Sequence, residues 1–515
     1  MMAEVNGKVM EKELISEEVD FQEKYLSRGQ LIWRAFLKHR LGVVALVILI
    51  VLYIMALFAD FLAPYDPLEQ SLRHTYAPPT KIHRTYKGQK VKPYILPIIS
   101  FVDKVTYERT YKEMLFPSRI VVEKPDGQRE AYELGKDGVE SIRFQISSVE
   151  SIKINGEWVD VKRSPRIAEY LLFGYNDEAL AKGQARFETS SAVAQEVYFK
   201  SYGSRFGLTD EEQIEAVAIT ETIESIVIRK DGRPQIVTGK IVDYDYKIYP
   251  VKWFVKSWTG KLFWLFPLSV HLFGVDNYDN NPYVKLFIMG ADLYGRDVWS
   301  RIVFASRISL SIGFIGMVIT FALAMVFGGI SGYYGGLIDE ALMRFAEIIM
   351  SIPNFYLLIM LRAMLPLDLP STQIYILLVF ILAFIGWAGT SRVIRGMVLS
   401  IRQREFVEAA IAIGLPNWKV LTRHVLPNTA TYLIVASTLR IPGYILGEAG
   451  LSFLGLGIRE PYASWGLMLA QAQDVYVITR APWLLIPGLF IIITCLSFNT
   501  VGDALRDALD PRSLG

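Results

Sequence analysis

Apolar residues gather near 41–63, 308–331, 346–365, 373–394, 428–449 and 483–502. Each stretch holds about 20 residues, enough for a helix to cross the hydrocarbon core of a bilayer. Between the first and second lies a polar stretch from about Asp66 to Asp292, long enough to fold by itself. The pattern predicts a membrane all-α core of six transmembrane helices. Residues 1–40 form an N-terminal segment, 41–63 the first span, 66–290 an inserted domain, and 291–515 the remaining spans. Before the first span, Phe21 to Arg40 interleaves Leu31, Ile32, Trp33, Phe36 and Leu37 with Arg28, Arg34, Lys38 and Arg40. That suits a helix in the membrane interface with its basic side chains toward headgroups.

Charge then orients the spans. With the chain start inside, Arg34, Lys38, Arg40, Arg344, Arg392, Arg395, Arg402, Arg404, Lys419, Arg423, Arg506 and Arg512 share the cytoplasmic side. The opposite loops are poor in cations: 366–372 has none and 450–482 only Arg459 and Arg480. The positive-inside rule therefore expects both termini in the cytoplasm and 66–290 outside, long translocated domains being exempt from the rule. The first 30 residues lack the basic start and short apolar core of a cleavable leader, so the first span is expected to stay as an anchor.

Within 66–290, hairpins are predicted at Arg119 to Leu134 around Pro125-Asp126-Gly127, at Ser151 to Lys162 around Asn155-Gly156, and at Ile223 to Val237 around Lys230-Asp231-Gly232. Asn-Gly and Asp-Gly supply the positive backbone angles of tight hairpin turns. Residues 165–220 are richer in Ala, Glu and Gln and read as partly helical, so an extracytoplasmic α+β domain with an antiparallel sheet is expected. Asp276-Asn277-Tyr278-Asp279-Asn280-Asn281 clusters oxygen ligands but lacks the glycine and terminal Glu of a calcium loop, and reads as a solvated turn. Phe263, Trp264 and Phe266 mark the return to the membrane surface, where aromatic side chains concentrate.

Composition removes several functions. A net charge of +2 with no basic face argues against a nucleic-acid partner. Cys495 is the sole cysteine and the five histidines are scattered, so no disulfide framework, metal site or nucleophile is expected. The glycine-rich run Gly328 to Gly336 lacks the lysine of a phosphate loop, and no such loop occurs elsewhere. Those glycines are expected to allow close helix packing and a turn. No catalytic residue and no cofactor is predicted.

The most informative stretch, 400–428, lies between two spans on the cytoplasmic side. Ala409 and Ala410 favour helix, Gly414 can take the left-handed conformation that ends one, and Pro416 cannot continue one. Pro427 lacks a donor that the first turn of a new helix does not need. Glu408-Ala409-Ala410 followed by Gly414 and Leu426-Pro427 resembles the EAA docking loop of permease subunits of ATP-binding-cassette importers. Arg423-His424-Val425-Leu426-Pro427-Asn428, with His424 where many members carry Ile, is similar to the dipeptide and oligopeptide branch. Gly295 to Arg301 through Arg307-Ile308-Ser309-Leu310 is similar to the same branch, and Leu451 to Gly457 and Gly502-Asp503 through Arg506 to Arg512 resemble its C-type subunit. The long insert departs from that pattern, as does Ala291-Asp292 in place of Thr-Asp.

The resemblance implies the type-I importer permease fold and a multi-pass subunit of the cytoplasmic (inner) membrane. Its implied partners are a second permease in a heterodimer, two ATPase subunits or domains, and an extracytoplasmic solute-binding protein. Glu408, Ala409, Ala410, Gly414, His424, Leu426 and Pro427 would dock the ATPase, and Asp292, Gly295, Arg296 and Asp297 would form an outer motif. Ionisable groups inside spans are costly and usually functional, which makes Arg440 and Glu448 candidates for the translocation route. A structural ion pair is the alternative for Arg440, and Arg362 is expected to snorkel outward. Peptides are the default cargo; oligosaccharides or metal chelates, an anchored sensor, and an ion-driven transporter are the other readings.

Overall fold

The computed structural model describes residues 28–102, 109–113, 116–124, 126–154, 157–160, 164–166, 184–189, 214–231, 233–237, 240–263, 265–278, 280–366 and 369–509. It divides into a helical unit, Met1–Gln70 with Lys256–Leu272 and Arg296–Gly515, and a strand-rich unit, Ser71–Val255 with Phe273–Gly295. Residues 256–272, expected within the insert, thus count with the helices.

The helical unit begins with α1 (Arg28–Lys38) and α2 (Arg40–Leu57), the latter capped by His39, whose Nδ1 accepts from Gly42 N at 3.0 Å. α3 (Val298–Tyr334) is followed by α4 (Gly336–Ser351), α5 (Asn354–Ala363) and α6 (Ser371–Arg402). α7 (Glu405–Ala412), α8 (Ala430–Phe453), α9 (Trp465–Ala470) and α10 (Ile486–Leu509) complete it. Among the described residues, α2, α3, α6 and Pro482–Leu509 are long and apolar enough to cross a membrane. The stretch expected as one span at 346–365 is broken: α4 and α5 meet at 89° across Ile352 and Pro353, because Pro353 has no N–H to extend α4. The pair makes a fifth crossing only if counted as one span. The remaining stretch, 428–449, is helical as α8 but carries Arg440, Pro442 and Glu448, which keep it below that apolar content.

α3 and α6 pack closely because their contact is lined by glycine. A Cβ on Gly328 would lie 2.5 Å from the Ser391 carbonyl oxygen, and one on Gly332 2.7 Å from that of Arg395. Around them the apolar core joins Ile312 of α3 to Leu358 of α5, Leu382, Trp387 and Ala388 of α6, and Tyr444 and Leu451 of α8. At the end of α3, Gly335 and Gly336 take φ of +69° and +57°, and α4 turns back so that Asp339 meets Arg395 through two bonds of 2.5 Å.

In the strand-rich unit, Pro117–Glu123 pairs antiparallel with Arg129–Glu133 and with Lys240–Tyr246. The turn between the first two uses Gly127 at φ +81°. Val139–Ile154 pairs along its length with Ile214–Lys230, which returns through Asp231 at φ +50° into Arg233–Val237. Glu157–Asp160 pairs antiparallel with the end of Val139–Ile154. His83–Tyr86 and Gln89–Ile95 form another hairpin, with Ile95 opposite Tyr249. Ile95, Tyr249, Val284 and Leu286 make one small core and Ala77, Ile98, Phe287 and Ala291 another. Among its described residues this unit has a 3-10 turn at Leu72–His74 and no α-helix. Where 165–220 was expected to be partly helical, Gln184–Thr189 and the start of Ile214–Lys230 are strands, since cross-strand pairing outweighs a modest helix propensity. The chain before Arg28, the positions Pro125, Asn155, Gly156, Gly232, Trp264 and Asp279, most of 165–213 and the ending from Asp510 lie outside the described residues.

His74 is fully buried, its Nδ1 2.8 Å from Ser71 Oγ and its ring 5.3 Å from that of Phe287. Burial first, and then the nearby Lys285 charge, push its pKa down from 6.5 to about 4. The unfolded chain therefore binds the proton more readily, so His74 contributes stability that is complete above pH 6.5 and is lost as pH falls toward 4. The whole effect is about 3 kcal/mol. Thermal unfolding of the strand-rich unit between pH 7 and pH 4 should show this loss, and His74→Gln should flatten the slope between 6.5 and 4. An unchanged slope in that variant would refute the assignment.

Candidate functional site

The stretch 400–428 folds as a helix, a glycine break and a second helical run. α7 ends at Ala412, Gly414 takes φ +83° with open space where a Cβ would sit, and Asn417–Val420 resumes the helix. The run passes through a π-type turn, Leu421–Val425, and a 3-10 turn, Leu426–Thr429, into α8. Pro427 stands at the start of that last turn, where a missing donor costs nothing.

The two faces of this loop differ sharply. Val407, Ala410, Val420, Leu421 and Val425 are buried against Ala324 and Tyr333 of α3 and Ile394 and Val398 of α6. Polar contacts hold the same seam: Tyr333 Oη donates to Asn417 Oδ1 at 3.2 Å and Arg402 Nη1 to the Tyr333 carbonyl at 2.6 Å. Leu426 lies against Gly329, and the His424 carbonyl accepts from Asn428 Nδ2 at 2.6 Å, so His424 fixes the turn through its backbone. On the other face Glu408 and Ala409 are exposed, flanked by Phe406, Ile411, Ile413 and Trp418. Ile413 at 77% and Trp418 at 60% exposure are unusual for large apolar side chains and mark this face for contact. Ala410, grouped by sequence with Glu408 and Ala409, points into the core instead.

The outer motif splits at Gly295. Asp292 is buried in the strand-rich unit, where its Oδ1 accepts from Tyr294 N at 2.8 Å and its carbonyl from Tyr76 N and Gly295 N, each at 2.9 Å. Gly295 takes φ +67°, and a Cβ there would overlap the Ser71 carbonyl. In the helical unit Asp297 caps α3, accepting from Ser300 N at 2.8 Å and Ser300 Oγ at 2.6 Å, where the helix dipole favours an anion. Arg296 reaches Glu460 through two bonds of 2.6 and 2.8 Å, and Arg301 reaches the same carboxylate at 3.0 Å. The arginines are 2% and 1% exposed and Glu460 is 36% exposed, so one carboxylate at the surface offsets two enclosed cations.

Sequence reasoning missed Glu460. The signal was present: two arginines beside the start of α3 need a carboxylate, and the 450–482 loop offers few. It also missed Asp60, which pairs with Arg307 at 2.6 Å at the end of α2. That pair borders a cavity of about 620 Å³ lined also by Trp258, Lys261, Tyr375 and Tyr462.

Neither route candidate lines that cavity. Glu448 is fully buried, accepting from Ser452 Oγ at 2.6 Å and, more weakly, from Ser309 Oγ at 3.5 Å. Ser309 Oγ also accepts from Trp465 N and Ser452 Oγ from Ile458 N, each at 3.1 Å. Glu448 thus organises the packing of α3, α8 and the following loop. Arg440 is half-buried with Nη2 against Gly389 of α6, and it forms no ion pair among the described residues. Arg362 does not snorkel: it is 1% exposed, and its Nε donates to the Leu456 carbonyl at 2.6 Å.

Glu460→Gln removes the negative charge that two enclosed guanidinium groups share and, with Glu460 itself 36% exposed, should cost about 1–3 kcal/mol, less than loss of a partner from a fully buried pair. The purified protein should melt well below the parent, and Glu460→Asp should recover part of the difference. Equal melting of parent and Gln variant would overturn the role given to this cluster.

The family described as binding-protein-dependent transport system inner membrane component matches residues 324–514, and the N-terminal TM domain of oligopeptide transport permease C matches 27–79. Residues 80–323, most of the strand-rich unit among them, lie outside both matches. The oligopeptide transport system permease protein OppC of Haemophilus influenzae is 39% identical over 251 residues, 48% of this chain and 78% of that protein. The dipeptide transport system permease protein DppC of Bacillus subtilis is 38% identical over 223 residues, 43% of this chain and 68% of that one. An inward-facing structure of the MetNI methionine ABC transporter aligns at a TM-score of 0.32 and 19% identity, over 40% of this chain and 96% of that one. The chain belongs to the binding-protein-dependent transport system inner membrane components, as a permease subunit akin to the oligopeptide and dipeptide permeases.

Proposed function

We propose that this permease subunit carries peptides inward as half of a heterodimeric route, driven by separate ATPase subunits that grip the 400–428 loop and supplied by an extracytoplasmic binding protein. The observation that carries the reading is the two-faced loop. Its back is locked to α3 and α6 while Glu408, Ile413 and Trp418 are exposed on its front. A packed helical element of this kind transmits displacement to the spans, whereas a slack loop would absorb it. Glu408 would pair with a basic or amide group of the ATPase cleft, and Ala409 would let the two backbones approach.

The finer architecture follows the same reading: six crossings of type-I importer form, with α4 and α5 as one broken crossing and α8 as another. Both termini then lie in the cytoplasm and the strand-rich unit outside. Arg440 supports a cargo with a free carboxylate, because a cation inside a span that forms no ion pair among the described residues is costly unless it serves a ligand. Glu448, sealed by serine hydroxyls, has a structural part in this scheme.

Gly414→Pro, which cannot adopt φ +83°, and Glu408→Ala are expected to leave membrane insertion intact and to reduce peptide uptake and peptide-stimulated ATPase activity together. For Glu408→Ala the loss should be roughly 30-fold, the worth of about 2 kcal/mol at an interface hot spot. Normal uptake by Gly414→Pro in proteoliposomes would refute the docking role. Arg440→Gln should slow uptake of peptides with a free C-terminus by roughly tenfold or more, the worth of one charged hydrogen bond. C-terminally amidated peptides should be little affected, and equal losses for both would remove Arg440 from cargo recognition.

A further inference from the structure

The strands Tyr249–Leu262 and Phe266–Val275 are hydrogen-bonded neighbours, and their connection is a tight turn in which Leu265 N donates to Leu262 O at 3.1 Å. The inner part of this hairpin, Lys256–Leu272, belongs to the helical unit and is fastened to the end of α2. Ser257 Oγ donates to the Pro64 carbonyl at 2.8 Å, Trp258 Nε1 to the Ala63 carbonyl at 3.2 Å, and Lys261 N to Asp60 Oδ1 at 3.0 Å. The His271 ring stacks on Trp258 and lies between the carbonyls of Asp60 and Trp258, at 2.8 and 2.9 Å. The neck is a built, polar joint.

The tip is the opposite. Leu265 is 76% and Phe266 62% exposed, which is costly in water for side chains this large. Phe263 holds φ +53°, a conformation that a bulky residue rarely adopts, and its ring meets Phe58 edge-on at 5.4 Å. Phe58 directly follows α2, whose exposed side is a stripe of Leu41, Val44, Val47, Val51, Ile54 and Leu57. On a helix that crosses a bilayer, such a stripe faces acyl chains. The hairpin tip continues that stripe past its last turn, while Lys256 and Lys261 are exposed on the neck, at the height where long cationic side chains reach phosphates.

We infer that the hairpin is a second membrane anchor whose tip, with Phe263, Leu265 and Phe266, inserts into the bilayer leaflet at the far end of α2, with lipid as its partner. An inserted tip places its exposed apolar surface in hydrocarbon and explains why a strand pair so close to the membrane ends in a run of aromatic and aliphatic residues. Insertion is confined to the turn, where the Leu265 N–H already bonds the Leu262 carbonyl, while the strand edges above it stay at the level of the headgroups. The anchor is independent of cargo and of ATPase docking.

The test is a spin label at Leu265→Cys in a Cys495→Ala background, with the full chain reconstituted in phosphatidylcholine–phosphatidylglycerol vesicles, alone and with its partner subunits. Collision with dissolved oxygen and with a water-soluble nickel chelate reports the surroundings. An oxygen-to-nickel ratio as high as at Val47→Cys is expected, with Lys230→Cys as the aqueous reference. A ratio matching Lys230→Cys would overturn the inference, because the tip would then be in water. Low collision with both probes would overturn it too, since a second copy, a partner permease or the binding protein would cover the tip. Leu265 is surface-exposed, so the label is compatible with folding, and Phe266→Cys supplies an independent reading.

Discussion

The close contact of α3 with α6 is the constraint on which the seat of the 400–428 loop rests. Gly328 and Gly332 leave no room for a Cβ against the Ser391 and Arg395 carbonyls, so the two backbones meet along this line. Lipid gives no hydrophobic drive for helix association, and small residues that allow such contact replace it. The ends of the two helices then present a single surface, Tyr333 beside Ile394 and Val398, on which Val407, Val420 and Val425 seat the 400–428 loop. A bulkier line of contact would separate α3 from α6 and leave that loop without a floor.

At the opposite end the organising force is charge. Arg296 and Arg301 are too enclosed to remain without an anion, and Glu460 crosses from the loop before α9 to meet both. Asp297 caps the same helix end, and Asp60 and Arg307 tie α2 to α3. Ion pairs of this kind add little net stability over an apolar replacement, yet removing one partner is costly. They act here as registration devices that set where helices and connecting loops meet.

Much of this was legible in the sequence, and particular residues explain where it was not. Turn chemistry was readable because it is local: Gly127, Asp231 and Gly414 take the positive φ that their neighbours require. Spans were readable as apolar stretches, but α3 extends well beyond 308–331, since Asp297 caps it from outside the apolar run. Pro353 was in plain view, but averaging hydropathy over 346–365 conceals a break at one residue. The pairings of Arg296 with Glu460 and Asp60 with Arg307 join residues 164 and 247 positions apart, and only the fold brings them together. Of the loop motif, sequence grouped Glu408, Ala409 and Ala410 as one unit, whereas helical geometry exposes the first two and buries the third.

The central claim is that the exposed face of the loop receives an ATPase. A photo-crosslinking residue at Ile413, installed in the full chain in native membranes and analysed by mass spectrometry of the adduct, tests it without depending on cargo. The account predicts one dominant protein adduct, a separate chain bearing a nucleotide-binding phosphate loop, whose yield falls when Glu408 is replaced by Ala. Adducts confined to lipid or to integral membrane chains, unchanged by that replacement, would contradict it.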